Sequence, residues 1–394
     1  MINKPSWYKT NWFAGRFIGV ILFLATAWTV PHRWCALEAP AWFRGDEHLQ
    51  TRLARGVEAA VTEGLNQEQF MTGDTRFNGE WLFLTHMMAG MGFGQTASEH
   101  PELREHHLEL MNLCLDRLLS QQLKQFDREA WGKDAIDSLE TDDGHAAYLG
   151  YLNLLLSYHR TLAPNSKYAA INDKITEALI RRTEKSPTRL LQTYPGETYP
   201  VDNSAVIASI ALHGQATGKE YRALIGDWVK HCREQLIDAK TGLLYQVVDW
   251  KTGAPLDAPR GSGTGLAVYF LSFADKSLSR DLFQAMRENL ADSVAGFGTI
   301  REYPSTFTGQ YGDVDSGPVL FGHSTSATGF GLAASRIHND EQLFTRLYST
   351  AYLFGGPLDR GKERRHLTGG PIGDAVLFAM FTAQPLAQSE NEKN

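Results

Sequence analysis

From residue 47 onward the apolar positions recur at spacings of three and four, the period of a helix with one buried face. This spacing predicts helices over 47–63, 79–95, 101–122, 144–161, 167–185, 203–216, 218–238, 264–274, 278–294, 325–337, 339–353 and 371–383. Alternate members begin near 47, 101, 167, 218, 278 and 339, an interval of roughly 50 to 65 residues that marks a structural repeat without a sequence repeat.

The two members of each pair differ in kind. The first members, such as "HPELREHHLELMNLCLDRLLSQQL", carry charge along one face, as a layer in contact with water does. The second members, such as "DNSAVIASIALHG", "GSGTGLAVYFLSFA" and "GGPIGDAVLFAMF", are small, apolar and nearly uncharged, which is the composition of helices buried all round. Alternating amphipathic and fully apolar helices predict an all-α (α/α)6 toroid, with six outer and six inner helices, rather than an open solenoid. One stretch, 238–255, alternates with period two between turn residues and predicts a small β-hairpin over one rim.

The N-terminus follows another pattern. Lys4, Lys9 and Arg16 precede an uncharged apolar run from Phe17 to Val30, flanked by Trp12, Phe13 and Trp34. This is the layout of a secretory signal or signal anchor. No A-x-A cleavage site stands out, which favours an uncleaved anchor in a bacterial inner membrane with the bulk of the chain in the periplasm or outside the cell. The expected organisation is a signal and linker over 1–45, a barrel over 46–386 and a disordered tail over 387–394.

Composition narrows the function classes. The chain is 43% hydrophobic and 21% charged, enough for a large core, and its net charge of −7 provides no basic face for nucleic acid. Cys35, Cys114 and Cys232 lack metal-ligand spacing; buried thiols are expected, with a Cys114–Cys232 disulfide as the alternative. No Walker loop, GxGxxG, GxSxG or H-E-x-x-H occurs, so neither a metal nor another cofactor is expected. The oligomeric state stays open.

The candidate chemistry lies just before or within the first turn of the inner helices, where a toroid gathers all these N-termini at one mouth. The candidate catalytic residues are Asp202, Asp143, Asp313, Asp315, Glu80 and His145; the candidate substrate-binding residues are Arg76, Tyr194, Tyr199, Asn203, Arg260, Tyr303 and His323. Capping is the plainer role for a single Asp or Ser ahead of a helix. Asp313 and Asp315 cannot both cap one helix beginning near 325, so one of them needs another role. Glu80, inside an apolar helix, calls for a partner such as Arg76 or Arg260. His145 and His323 read first as hydrogen-bonded structural residues.

The segments "DDGHAAYLGYLNLLLSYHRTL", "YPVDNSAVIASIALHG", "WVKHCREQLIDAKTGLLYQVVDWKTGAP" and "DVDSGPVLFGHSTSATGFGLAASR" resemble the linalool dehydratase/isomerase-like family, in order, over roughly residues 74 to 385. The resemblance implies an (α/α)6 barrel and, less directly, chemistry on a small alcohol with cysteines, an aspartate, a tyrosine and a histidine at the mouth. The chain departs from that pattern at the site. Asp202 stands where the family's cysteine precedes Asn-Ser, its other site cysteine falls near Thr193, and its histidine falls at Tyr151. Thiol-assisted chemistry is therefore not expected, whereas carboxylate chemistry is.

Toroids of this kind serve many glycoside hydrolases and polysaccharide lyases, an analogy of fold alone. The mouth's acids, tyrosines and aromatics, including Trp81 and Trp131, suit a glycan acted on by a carboxyl pair from different inner helices. The leading expectation is a membrane-tethered, extracytoplasmic glycan enzyme resembling glycoside hydrolases. The alternatives are a hydro-lyase or isomerase acting on a small-molecule alcohol and a catalytically silent envelope or glycan-binding toroid, in which every mouth acid would be paired or capping.

Overall fold

The computed structural model describes residues 7–307, 312–313 and 315–386, with side chains from residue 16 onward. In chain order its helices are α1 (Trp7–Cys35), α2 (Ala39–Phe43), α3 (Glu47–Glu63), α4 (Thr75–Glu99), α5 (Arg104–Leu118), α6 (Gln121–Trp131), α7 (Tyr151–Leu162) and α8 (Ala169–Lys185). They continue with α9 (Pro200–Thr217), α10 (Arg222–His231), α11 (Gly261–Leu271), α12 (Lys276–Asn289), α13 (Thr325–Ile337), α14 (Glu341–Gly355) and α15 (Gly370–Thr382). A four-stranded sheet of β1 (Ala291–Val294), β2 (Phe297–Arg301), β3 (Val319–Leu320) and β4 (His323–Ser324) has the order β1-β2-β4-β3, and β5 (Pro357–Arg360) pairs with β6 (Glu363–His366).

The apolar helices close into a ring. α4 packs on α7, α7 on α9, α9 on α11, α11 on α13, α13 on α15, and α15 returns to α4. The amphipathic helices α3, α5, α8, α10, α12 and α14 pack around them, which makes the fold an (α/α)6 barrel. Small residues let the inner helices approach: a Cβ on Gly92 would sit 2.3 Å from Phe378 Cδ1, so the closing contact between α4 and α15 requires glycine.

The two ends of the ring are knit differently. At the C-terminal ends Gln95 Nε2 donates to the Ala379 carbonyl (2.8 Å) and Thr382 Oγ1 (2.9 Å), and Tyr269 Oη donates to Gln95 Oε1 (2.8 Å). Arg336 there donates to Glu99 and to the carbonyls of Phe43 and Ala383. These bonds tie α4, α11, α13 and α15 together at that end.

Four expectations from the sequence are revised. The helix expected over 101–122 breaks at the extended Ser120 into α5 and α6, and the one over 144–161 starts with a wide turn at Ala146–Gly150. The last residues of 278–294 leave the helix at Asn289 and form β1. The stretch 238–255 folds back through the isolated bridges Ile237↔Leu244 and Val248↔Pro255 rather than a ladder, because tight turns at Gly242 and Gly253 cut its alternation. The chain also joins the barrel before residue 45. Trp42 is 1% exposed and stacks on Phe381 at 4.7 Å, while Glu38 accepts two hydrogen bonds from Arg364 and one from Tyr348.

α1 carries the apolar run; among the described residues it belongs to the one helix long and apolar enough to cross a membrane. All three cysteines are free and buried, and burial pushes the Cys114 and Cys232 thiols up to about 12. The expected tail at 387–394 lies outside the described residues.

Candidate active site

The mouth is built from turns that aim polar side chains inward. Residues 194–197 form a tight turn, with Glu197 N donating to the Tyr194 carbonyl (2.9 Å) and Gly196 taking a positive φ of 84°. The turn sends Tyr194 Oη across the opening to Glu80 Oε2, 2.8 Å away, one turn into α4. The Arg76 guanidinium lies over the Tyr194 ring at 4.9 Å.

Asp202, in the first turn of α9, is 9% exposed. Its two oxygens accept from Tyr151 Oη and Thr193 Oγ1, each at 2.8 Å. Thr193 Oγ1 also accepts the Tyr199 amide (3.2 Å), which ties the acid to the loop that carries the turn. Burial pushes Asp202 up to about 6, and the two hydroxyl donors pull against that rise.

A second acidic group lies at the start of α11. Arg260, 2% exposed, donates Nε to Glu302 Oε1 (2.7 Å) and clamps Asp313 through both terminal nitrogens at 2.6 and 2.8 Å. Ser262 Oγ adds a donor to Glu302 (2.6 Å). Burial alone would raise Asp313, but the hydrogen bonds and charge of Arg260 hold it below the ordinary carboxylate range. Asp313 Oδ1 in turn accepts the amides of Asp315 and Ser316, both at 3.1 Å, and so fixes the bend that carries Asp315.

Asp315 makes no ion pair among the described residues. Its side chain is open to water at the cleft wall, yet protein surrounds it on the other sides. This crowding, with the negative charges of Asp313 and Asp202, pushes it up to about 7. Glu80 rises well above the ordinary range for the same reasons: burial first, then the charge of Asp315, with the Tyr194 hydrogen bond opposing. The cap of α13 is Ser324, whose Oγ accepts the Ala327 amide (3.0 Å). Neither aspartate of the D-x-D pair caps a helix; one is clamped and the other faces the mouth.

Several predicted site residues are engaged by partners away from these acids. His145 is fully buried, with Nδ1 2.7 Å from Asp127 Oδ2 and Trp131 stacked on it at 4.4 Å. Asp143 pairs with Lys133 (2.7 Å) at the outer edge, and neighbouring Asp142 pairs with Lys185. Asn203 staples residue 191, accepting from the Leu191 amide (2.7 Å) and donating to its carbonyl (3.0 Å). His323 lies on β4 against Thr299 (2.8 Å), beside Asp292 rather than the mouth acids. Arg260 is occupied by its two acids and sits 5.6 Å from the Tyr303 ring. Tyr199 donates to Glu197 (3.1 Å). Asp74 caps α4 through the Arg76 amide.

The structure thus gathers Glu80, Asp202 and Asp315 with Arg76 and Tyr194, and adds Tyr151 and Thr193, which the residue pattern alone does not single out. Tyr151 opens an apolar helix and Thr193 lies in a loop, and a lone hydroxyl in either place looks like a packing or turn residue in the sequence. Among the described residues no cluster of His, Cys, Asp and Glu has the arrangement to hold a metal.

No family model matches this sequence, and no curated protein does. Solved structures with a related shape include the unsaturated glucuronyl hydrolase from Bacillus sp. GL1, 12% identical over 85% of this chain and 95% of that one, with a TM-score of 0.49. A GH76 α-mannanase from Bacteroides thetaiotaomicron is 10% identical over 76% of this chain and 84% of its own (TM-score 0.46). Dfg5 from Chaetomium thermophilum, solved in complex with glucosamine, is 12% identical over 80% and 83% (TM-score 0.46). None of these comparisons supports the resemblance to the linalool dehydratase/isomerase-like family. At these identities and scores the likenesses carry no argument about activity, which is read below from the site itself.

Proposed function

We propose that the protein is a membrane-tethered enzyme acting on a glycan by carboxylate general acid/base chemistry, with its barrel outside the cytoplasm. The observation that carries this reading is that Glu80, Asp202 and Asp315 converge at the mouth without an ion pair among the described residues. These three are crowded together: burial raises all of them, and neighbouring carboxylate charge adds to the rise of Glu80 and Asp315. A silent scaffold would have them neutralised, as Asp313, Glu302 and Asp143 are.

The roles follow from the environments. Asp202, which lies lower than Asp315 and accepts from two hydroxyl donors, is the base that takes a proton from water. Asp315, open to the cleft and protonated up to about pH 7, is the acid that protonates the leaving glycosidic oxygen. Glu80 accepts a hydrogen bond from Tyr194, and the charge of Asp315 adds to burial in raising it. Two carboxyls with separated titrations predict a narrow bell-shaped pH profile, its acid limb set by Asp202 at about 6 and its basic limb by Asp315 at about 7.

The test is release of reducing ends from bacterial envelope glycans by the full chain, with Asp202→Asn and Asp315→Asn alongside. Activity lost in both variants supports the reading; release that survives both removes it. One observation favours a second reading. The three positions that the resemblance aligns with the family's histidine and cysteines, Tyr151, Asp202 and Thr193, meet in one hydrogen-bonded group. Dehydration or isomerisation of an alcohol at Asp202 would use the same acid, and turnover in a panel of small alcohols with none on glycans would select it.

A further inference from the structure

Large apolar side chains are exposed unevenly over the barrel. Apart from α1 and the turn that follows it, the described residues expose eight: Met71, Leu256, Val294, Leu320, Phe321, Leu353, Phe354 and Leu367. All but Met71 and Leu256 belong to one sector of the rim. Val294 ends β1 at the tip of the β1–β2 hairpin; Leu320 and Phe321 form the tip of the β3–β4 hairpin in the same sheet. The sheet lies on α14, where Thr350 Oγ1 donates to the Gly298 carbonyl (2.6 Å), and Leu353 and Phe354 end that helix. Leu367 adjoins them, since Thr368 Oγ1 donates to the Phe354 carbonyl (2.7 Å).

α1 meets the barrel at this same sector. It packs against α14, and its His32 ring lies 6.1 Å from the Phe297 ring and against Gly296, next to Val294. The β5–β6 hairpin beside the patch exposes Arg360, Lys362 and Arg365 against two acids, Asp359, which pairs with Arg364, and Glu363, 3.6 Å from Arg365. Apolar side chains bordered by cations are the composition of a surface that sits in the headgroup layer of an anionic membrane. Phe321 sharpens the point. It is 96% exposed and holds a positive φ of 53°, a conformation that is costly for a bulky aromatic and that places its ring outward at the hairpin tip.

We infer that the rim sector of Val294, Leu320, Phe321, Leu353, Phe354 and Leu367 rests in the bilayer that α1 spans, so that the mouth works at the membrane surface. The inference depends on α1 being a membrane anchor, and it deepens the proposed function. Asp315 and Phe321 share the loop leading into α13, so seating Phe321 in lipid brings the mouth's acid to the lipid plane. The substrate class that fits is an amphiphile with a lipid tail in the membrane and a glycan head in the mouth. The short turn from Cys35 to Ala39, packed at both ends, leaves no linker to swing the barrel away.

The three native cysteines are buried, so single surface cysteines can be labelled selectively. The full chain is reconstituted in vesicles of phosphatidylethanolamine and phosphatidylglycerol with a nitroxide at Phe321→Cys, Leu367→Cys, Leu24→Cys in the anchor, or Glu177→Cys on α8, across the ring from α14. Collision with oxygen, which partitions into lipid, is compared with collision with a water-soluble nickel chelate. The inference predicts that Phe321→Cys and Leu367→Cys behave like Leu24→Cys, while Glu177→Cys reads as water. Rim labels that match Glu177→Cys while Leu24→Cys reads as lipid overturn the inference and leave the anchor standing. Leu24→Cys in water overturns the anchor and the inference with it. Spin–spin broadening at Phe321→Cys without oxygen enhancement shows a second copy covering the patch and also overturns it.

Discussion

Two acidic groups sit at the mouth of this barrel and behave in opposite ways. Around Arg260, Glu302 and Asp313 are clamped by a guanidinium; Glu80, Asp202 and Asp315 make no ion pair among the described residues, and Glu80 and Asp202 accept hydroxyl donors instead. A buried carboxylate with a matched cation is a structural element, whereas carboxylates crowded without one hold protons near neutral pH. The difference divides a clamped acid from an unpaired one within a single loop, since Asp313 and Asp315 are two residues apart. Asp313 belongs to the clamp and, through its hydrogen bond to the Asp315 amide, positions its neighbour.

The comparison is broken most severely on the reactive side. Asp202→Asn and Asp315→Asn are each expected to lower turnover by about 10²–10⁴-fold with the fold retained, as measured by reducing-end release beside circular dichroism. On the framework side, Arg260→Met leaves Glu302, which is fully buried, without its cation. A loss of about 3–5 kcal/mol in denaturant unfolding is expected for breaking such a pair from one side. An Arg260→Met variant as stable as the parent would erase the distinction between the two groups.

A smaller effect has the opposite sign. The folded values of Asp315 and Asp202, about 7 and about 6, lie above their ordinary value of 3.8. Within those windows the folded state keeps a proton that the unfolded state has lost, so stability falls as pH rises through them. Asp315→Asn removes that slope and is expected to raise the melting temperature at neutral pH while abolishing turnover; a melting temperature that falls instead would place Asp315 in the framework. The smallest effect belongs to the donors. Tyr151→Phe and Thr193→Val each remove one hydrogen bond to the charged form of Asp202, worth about 1 kcal/mol. Each is expected to move the acid limb of the pH profile upward by less than one unit.

The fold was legible because its signal is repetitive. α3 and α13 follow the apolar spacing to their end residues, and the uncharged composition of "DNSAVIASIALHG" and its counterparts marks the inner ring. What periodicity could not show was the role of each polar residue at the mouth. Asp143, Asn203 and His145 resemble Asp202 in sequence context, but Lys133, Leu191 and Asp127 engage them through contacts set by tertiary packing. Glu80 and Asp315 come from segments more than 200 residues apart, so their mutual repulsion has no trace in either segment. The entry of the chain into the barrel at Glu38 was hidden similarly, because the partners of Glu38 and Trp42 lie near the C-terminus.

The central claim is that the mouth holds carboxyls that keep their protons near neutral pH. Infrared titration of the full chain measures this through the carbonyl absorption of protonated carboxyls, in the parent and in Glu80→Gln and Asp315→Asn. The account predicts an absorption that persists above pH 6 in the parent and shrinks in each variant, with the remaining carboxyls titrating lower once a neighbouring charge is gone. A parent protein whose carboxyls have all lost their protons below pH 5 would contradict it.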